Sequence, residues 1–202
     1  MNAVPSRRLV LASASPARLR LLHDAGFDPT VIVSGVDEDS IDVDDAFELV
    51  RRLAELKAQT VARIDGLGDA VVLGCDSMFL LDGDVLGKPG SAEDAIGRWK
   101  RMRGSTGVLL TGHCVIDIAT GRTAQAVADT VVRFGEPSDD EIAAYVATGE
   151  PLNVAGAFTL DGRSAVFIDG VEGDSTNVIG LSLPLLRRLL LELGIEVTSL
   201  WR

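Results

Sequence analysis

The sequence predicts an α/β fold built around a mixed sheet. Apolar runs typical of strands alternate with stretches in which apolar residues recur every three or four positions, as in amphipathic helices. Some strand-like runs are joined by short turns, as in hairpins, whereas others are separated by a helix. Both kinds of connection in one chain indicate parallel and antiparallel pairing in the same sheet, with helices packed against it.

The first predicted elements are a strand at residues 8–12 and a helix at residues 17–25, which Gly26 ends. Between them the sequence SASP places small residues next to the start of the helix. Backbone N–H groups and short hydroxyls, such as those of Ser13 and Ser15, could hold an anion there.

Arg18 and Arg20 follow in the first turns of this predicted helix. Positive charge is unfavourable at a helix N-terminus, because the helix dipole favours carboxylates there, unless an anion is bound. Two interpretations stay open from these residues alone. The segment is either a solvated basic helix start or a phosphate-binding site.

A second strand, PTVIVSG, leads into the acidic segment VDEDSIDVDD at residues 36–45. This segment fits a metal-binding loop, a solvated helix start, or both. The helix that follows, at about residues 44–64, carries an apolar stripe that contains Lys57. Such a lysine either extends its ammonium group to water or delivers it to a charged ligand or partner at the rim of the core.

The segment AVVLGCDSMFLLDGDVLGKPG predicts a strand, an Asp-Gly turn and a short second strand. Asp76 interrupts the apolar strand. A buried carboxylate needs a cation, a metal ion or hydrogen-bond donors as its partner. Lys88, shortly after the hairpin, is a second candidate cation.

The remaining elements follow from capping residues and apolar periodicity. Ser91 and Asp94 resemble a capping box that starts a helix to about Met102, with Gly104 after it. Two strands are predicted at residues 108–118 and 123–134, a helix from Ser138 and Glu141 to Gly149, a strand at residues 164–173, and a closing helix at residues 183–194.

Composition restricts the class of protein further. A chain of 202 residues with 47% apolar content and no Pro/Gly/Ser-rich linker predicts one globular domain over residues 1–202. The formal net charge of -11 argues against polyanionic partners such as nucleic acid or anionic membranes, but a small phosphorylated ligand remains compatible. No apolar run suits a membrane span or a signal peptide, so we expect a cytoplasmic protein.

Zinc and thiol chemistry are not expected. Cys75 and Cys114 form no CxxC motif, and His23 and His113 are isolated from each other and from any HExxH pattern. Each of the two histidines is expected to be an ordinary surface or packing residue.

Taken together, these segments resemble the Maf family, named for septum formation and known as nucleoside triphosphate pyrophosphatases. The similar segments lie in family order along nearly the whole chain: SASPARLRLL, VDED, LAELKAQTVA, GCDSMFLLDGDVLGKP, ADTVVRF, DDEIAAYVATGEPLNVAGAF and VEGDSTNVIGLSLPLL. Any one of them is weak by itself, but their order makes the resemblance specific.

The resemblance implies an elongated mixed sheet flanked by helices, a central nucleotide-binding cleft and a homodimer. It also implies hydrolysis of a nucleoside triphosphate between the α and β phosphates, with a divalent cation, Mg²⁺ or Mn²⁺, as cofactor. The family's catalytic carboxylate, in its Gly-Ala-Asp-Thr motif, corresponds to Asp76, and its acidic-loop glutamate to Glu38. These two carboxylates are the expected metal ligands, and the expected substrate-binding residues are Ser13, Ser15, Arg18, Lys57 and Lys88.

The sequence departs from the family pattern at four positions. Ala17 stands where the family has the first of two arginines, Gly107 where it commonly has a histidine, and Ser77 where it has a threonine. Asp161 stands where the branch that acts on thymidine and uridine triphosphates has a glutamine. An ionised carboxylate accepts hydrogen bonds but cannot donate them, so the preferred base is not fixed by the resemblance. A nucleotide-binding regulator of cell division with little turnover is the alternative function.

Overall fold

The structure, a computed structural model, describes residues 7–38, 41 and 43–202. The chain divides into two compact units. The first unit comprises residues 1–76, 111–128 and 180–202, and the second comprises residues 77–110 and 129–179. The single domain expected over residues 1–202 stays a prediction. None of the helices in the described ranges is both long and apolar enough to cross a membrane.

The described residues form a seven-stranded mixed sheet and six α-helices; the sequence predicts the seven strands and five of these helices, but not α5. The strands are β1 (Arg8–Leu11), β2 (Thr30–Val31), β3 (Ala70–Leu81), β4 (Asp84–Leu86), β5 (Thr106–Asp117), β6 (Thr123–Phe134) and β7 (Ile168–Gly173). The helices are α1 (Pro16–Asp24), α2 (Ala46–Ala62), α3 (Ala92–Met102), α4 (Asp139–Ala147), α5 (Ser175–Ile179) and α6 (Leu183–Glu192). The strand order is β2-β1-β3-β5-β6-β7, with β4 paired to β3. β1 pairs in parallel with β2 and β3, whereas the β3–β4 and β6–β7 pairs are antiparallel.

In the first unit, alternate residues of the strands supply two separate hydrophobic clusters. Leu9, Leu11, Val71 and Leu73 pack with residues of α1 and α6. Their neighbours along the strands, such as Val72, pack with residues of α2. Because successive side chains of a strand point to opposite faces, the sheet in this unit is covered on both faces.

Two glycines allow α2 to lie very close to the sheet. A Cβ atom added to Gly74 of β3 would lie 2.2 Å from the carbonyl oxygen of Ala54, and one added to Gly112 of β5 would lie 2.0 Å from that of Val50. Real Cβ atoms do not approach backbone so closely, so no larger residue fits at either position without displacing the helix. Gly74 and Asp76 lie two residues apart on β3, and therefore both face α2.

The second unit is built on an aromatic cluster. Rings pack edge to face with centroids 4.9–6.3 Å apart, and the cluster consists of Phe79, Trp99, Phe134, Tyr145, Phe158 and Phe167. Trp99 is fully buried, and its indole N–H donates to the carbonyl oxygen of Ala157 at 2.8 Å. The edge-to-face arrangement is the one that aromatic rings prefer, so this cluster is a well-packed core.

Several predicted boundaries are confirmed by hydrogen bonds. Ser138 and Glu141 form a complete capping box at the start of α4. At α3, the Ser91 hydroxyl accepts from the backbone N–H of Asp94, but the Asp94 carboxylate accepts from Gly90 rather than from Ser91. Only half of the expected capping box is therefore present at α3.

The strand predicted at residues 164–173 is wrong in its first half. Residues Arg163–Phe167 form a 3₁₀ helix, and β7 begins only at Ile168. The Ser164 hydroxyl is buried and bonds both the backbone N–H and the carbonyl of Thr159. Such local bonds between a side chain and the backbone compete with strand pairing. The strand expected at residues 29–35 is likewise reduced to Thr30–Val31.

Candidate functional site

The turn between β1 and α1 is organised by two serine hydroxyls. Ser15 is the N-cap of α1, and its hydroxyl accepts from the backbone N–H of Arg18 at 3.3 Å. The hydroxyl of Ser13 accepts from the backbone N–H of Ser15 at 3.2 Å and from the Arg18 guanidinium at 3.0 Å. Both serines predicted to bind substrate therefore shape the turn itself, and they keep it next to Arg18.

Arg18 is buried, with 8% of its surface exposed, which excludes the solvated interpretation for this residue. Its Nε atom donates to the carbonyl oxygen of Gly180 at 2.7 Å, and its Nη1 atom to that of Cys75 at 2.9 Å. Arg20, two residues later, is exposed. The guanidinium thus links the start of α1, the segment before α6 and strand β3 immediately before Asp76, which gives this part of the unit a fixed positive charge.

Lys57 of α2 lies between two carboxylates. Its ammonium group is 2.6 Å from Asp76 Oδ1 and 2.5 Å from Glu38 Oε1. Lys57 and Asp76 are 8% and 5% exposed, whereas the side chain of Glu38 is 51% exposed. Because Lys57 lies in the apolar stripe of α2, its ammonium group reaches charged partners at the rim of the core rather than water. The close approach of α2 at Gly74 brings the lysine within reach of β3.

One oxygen of Asp76 is left without a partner. Oδ1 accepts from Lys57, but Oδ2 is buried and has no hydrogen-bond partner among the described residues. Burial raises the pKa of the Asp76 carboxyl above its ordinary value, and the nearby charges of Lys57 and Arg18 oppose this rise. A buried, unpaired carboxylate oxygen is costly, and a donor or cation bound beside it would reduce that cost.

The donor set suits a hard divalent cation bound together with a phosphate. The described residues contain no group of three or more His, Cys, Asp or Glu side chains placed to hold a metal ion. Mg²⁺, however, usually takes only one or two carboxylates and completes its shell with waters and substrate oxygens. Glu38 and the orphaned oxygen of Asp76 fit that requirement. Asp39 and Asp42 of the acidic segment lie outside the described residues, and Asp45 is the N-cap of α2.

Lys88 belongs to the second unit, in the exposed segment after β4. Six of the seven predicted site residues therefore lie in the first unit: Ser13, Ser15, Arg18, Glu38, Lys57 and Asp76. Lys88 lies in the second unit.

The structure describes the surroundings of two of the departures from the family pattern and explains one of them, Gly107. Gly107 is buried, and a Cβ atom added there would lie 2.2 Å from the Phe79 ring and 2.7 Å from the carbonyl oxygen of Leu80. A histidine therefore does not fit at this position beside Phe79. Asp161 accepts a hydrogen bond from the hydroxyl of Thr159, so its carboxylate is oriented within its own turn.

The sequence did not identify three contributors to the site: Gly74, Gly112 and His113. A glycine inside an apolar strand signals close backbone approach, which is the signal available for Gly74 and Gly112. His113 is fully buried on β5, and both of its ring nitrogens contact backbone groups. It is a packing residue, as expected, but one whose partners lie near Arg18.

Comparison with known proteins gives a consistent result. Residues 8–193 match the family described as "Maf-like protein". A protein of Streptomyces coelicolor named nucleoside triphosphate pyrophosphatase is 64% identical over 201 residues, which cover 100% of this chain and 98% of that protein. Proteins with the same name from Streptomyces avermitilis and Rhodococcus erythropolis are 62% and 52% identical. Those matches cover 100% and 96% of this chain, and 98% and 97% of the respective relatives.

Proposed function

The chain belongs to the Maf-like family, and we propose that the buried cluster around Asp76 is the site at which it acts as a nucleoside triphosphate pyrophosphatase. The protein is a hydrolase of acid anhydrides, the class of enzyme to which the name nucleoside triphosphate pyrophosphatase, carried by its relatives, belongs. It cleaves the bond between the α and β phosphates of a nucleoside triphosphate and releases a nucleoside monophosphate and pyrophosphate.

The orphaned oxygen of Asp76 is the observation that carries the assignment of the site. Hydrolysis requires a base that accepts a proton from the attacking water. Within the part of the chain that the structure describes, Asp76 Oδ2 is buried and has no hydrogen-bond partner, while Oδ1 accepts from Lys57 at 2.6 Å. A carboxylate fixed through one oxygen and without a hydrogen-bond partner at the other is oriented for this task, and burial favours its protonated product.

Positive groups of the first unit supply the counter-charge that a triphosphate needs. Lys57 is placed to neutralise carboxylate and phosphate oxygens, and the rigidly bonded Arg18 adds a second fixed charge. Lys88, an exposed residue of the second unit, is the third proposed substrate-binding cation. Fixed cations of this kind stabilise charge that develops on phosphate oxygens without having to reorganise.

Glu38 and Asp76 are the residues that would hold the divalent cation, Mg²⁺ or Mn²⁺. When bound, such an ion neutralises phosphate charge and polarises a phosphoryl oxygen. Lys57 forms ion pairs with the same two carboxylates.

The function is tested by product analysis with and without metal. We expect stoichiometric release of pyrophosphate and nucleoside monophosphate with Mg²⁺ or Mn²⁺, and a loss of about three orders of magnitude in rate after chelation. Separate assays for pyrophosphate and orthophosphate decide the result. Orthophosphate as the dominant initial product would contradict the proposal, and binding without turnover would favour a regulatory nucleotide-binding protein.

Base preference is a separate proposal. Because Asp161 replaces the glutamine of the branch that acts on thymidine and uridine triphosphates, we expect a different or broader preference. A panel of normal and modified triphosphates measures it through kcat/KM. A clean preference for thymidine and uridine triphosphates over all other bases would show that this expectation is wrong.

Homodimerisation, a cytoplasmic location and the lack of nucleic-acid or membrane partners remain predictions from the sequence. Light scattering on purified protein tests the first of these, and a mass near that of one 21.3 kDa chain would contradict it.

A further inference from the structure

His113 is a polar ring in the middle of a buried strand. It is fully buried on β5, where its neighbours along the strand are buried as well. Its Nε2 atom accepts a hydrogen bond from the backbone N–H of Ser182 at 2.9 Å. Its Nδ1 atom lies 2.9 Å from the carbonyl oxygen of Thr111 and must therefore carry the proton. The two contacts select one neutral tautomer and fix the ring in place.

The contact with Ser182 holds the segment that leads to Arg18. Ser182 is the N-cap of α6, and two residues before it the carbonyl oxygen of Gly180 accepts from Arg18 Nε at 2.7 Å. Leu181, between them, is fully buried in the hydrophobic cluster of α1 and α6. Segment 180–182 is therefore fixed at one end by an imidazole and at the other by a guanidinium.

Arg18 transmits this constraint toward Asp76. Its Nη1 atom bonds the Ser13 hydroxyl and the carbonyl oxygen of Cys75, the residue before Asp76. A continuous set of hydrogen bonds and one short backbone segment thus connects the ring of His113 to the site. All of the groups involved lie within the first unit.

We propose that His113 is a positioning residue for substrate binding: it fixes segment 180–182, and so the guanidinium of Arg18. The proposal rests on the function proposed above. The hydrogen bond from Ser182 is the reason a histidine stands here, because an apolar residue of similar size would leave that buried N–H unpaired. An acceptor at the place of Nε2 is therefore the feature that matters, and not the volume of the ring.

The experiment is a double-mutant cycle on pyrophosphate release. His113→Leu removes the acceptor, His113→Gln keeps one near the place of Nε2, and Arg18→Lys removes the guanidinium that bonds Gly180. Ile195→Val is the control, since it trims the same hydrophobic cluster without touching these hydrogen bonds. KM, kcat and melting temperature are measured for each variant and for His113→Leu combined with Arg18→Lys.

We expect His113→Leu to raise KM about tenfold, the scale of one buried unpaired group, with a smaller change in kcat. His113→Gln should stay within about threefold of the wild type, and in the Arg18→Lys background His113→Leu should add less than about twofold. Additive effects on KM, or a lower melting temperature with unchanged KM, would overturn the proposal.

Folding and function can be separated in this design. If His113→Leu does not fold, His113→Asn replaces it, because asparagine is too short to reach Ser182 yet retains polar atoms near Thr111. Failure of both variants to fold would overturn the proposal in favour of a purely structural role. Absence of pyrophosphate release from the wild-type protein would instead contradict the proposed function, and the same cycle on affinity for a non-hydrolysable nucleotide would then judge His113 separately.

Discussion

The two compact units bury different kinds of side chain. Arg18, Lys57, Asp76 and Asp117 are all buried in the first unit. In the second unit, all of whose residues the structure describes, no Asp, Glu, Lys or Arg is buried, and aromatic rings fill the core instead. Buried charges cost free energy unless they are paired, whereas buried rings stabilise a fold directly. The difference is the one expected if the proposed site lies in the first unit.

A second contrast lies within the first unit, between the two aspartates that are buried among its described residues. Asp117 accepts from Arg7 and from the backbone of Ala119 through Oδ1, and from Thr120 through Oδ2. Asp76 accepts from Lys57 through Oδ1 and has an orphaned Oδ2. Burial by itself therefore does not separate the proposed catalytic carboxylate from Asp117, whereas incomplete pairing among the described residues does.

The largest expected effect is that of Gly74→Ala, which tests how the first unit brings Lys57 to Asp76. The new Cβ atom would lie 2.2 Å from the carbonyl oxygen of Ala54, so α2 must move away from β3. We expect a loss of about 3 kcal/mol in the free energy of unfolding together with a loss of turnover. Gly87→Ala is the control, since its Cβ would meet only Met78 Sδ at 3.7 Å. Equal stability of the two variants in urea would contradict the packing described for α2.

Trp99→Phe tests the second unit as an aromatic scaffold. The substitution removes the indole donor and leaves the buried carbonyl of Ala157 unpaired. We expect a loss of about 2 kcal/mol in the free energy of unfolding. At a temperature where the variant is folded, kcat should stay within about twofold of the wild type. A large fall in kcat without loss of stability would break the contrast between the two units.

Gly97→Ala is the smallest expected effect and has the opposite sign. Gly97 lies inside α3, and a Cβ atom added there meets nothing within 4 Å. Alanine is the better helix former, so we expect a gain of about 0.5–1 kcal/mol in the free energy of unfolding. Activity should not change. A lower melting temperature would show that α3 has neighbours that its described surroundings do not include.

Much of the fold could be predicted because apolar periodicity and capping residues mark it locally. Strand β3 with Asp76 inside it, the hairpin turn at Asp82 and the capping box at Ser138 follow from short-range patterns. Helix α5 was missed because five residues are too few to show a period. The 3₁₀ helix before β7 depends on hydrogen bonds between Ser164 and Thr159, which strand periodicity does not reveal.

The residue types of the site were also predictable, but their partners were not. The position of Lys57 in an apolar stripe and of Asp76 in an apolar strand signals buried charge. That Arg18 bonds Gly180, 162 positions away in sequence, depends on tertiary packing. The role of His113 depends on the same packing, because an isolated histidine carries no sequence signal of its backbone partners.

The most direct test of the central claim compares Asp76→Asn with Asp117→Asn, measuring kcat, nucleotide affinity and melting temperature on both. Asparagine keeps the size of the side chain but cannot accept a proton from water. We predict that Asp76→Asn lowers kcat by about two orders of magnitude or more, while the protein stays folded and binds nucleotide. Asp117→Asn should lower the melting temperature and leave kcat near the wild-type value, because its carboxylate only pairs with Arg7 and neighbouring donors. Near-normal kcat in Asp76→Asn, or a loss fully explained by unfolding, would contradict the assignment of Asp76 as the catalytic base.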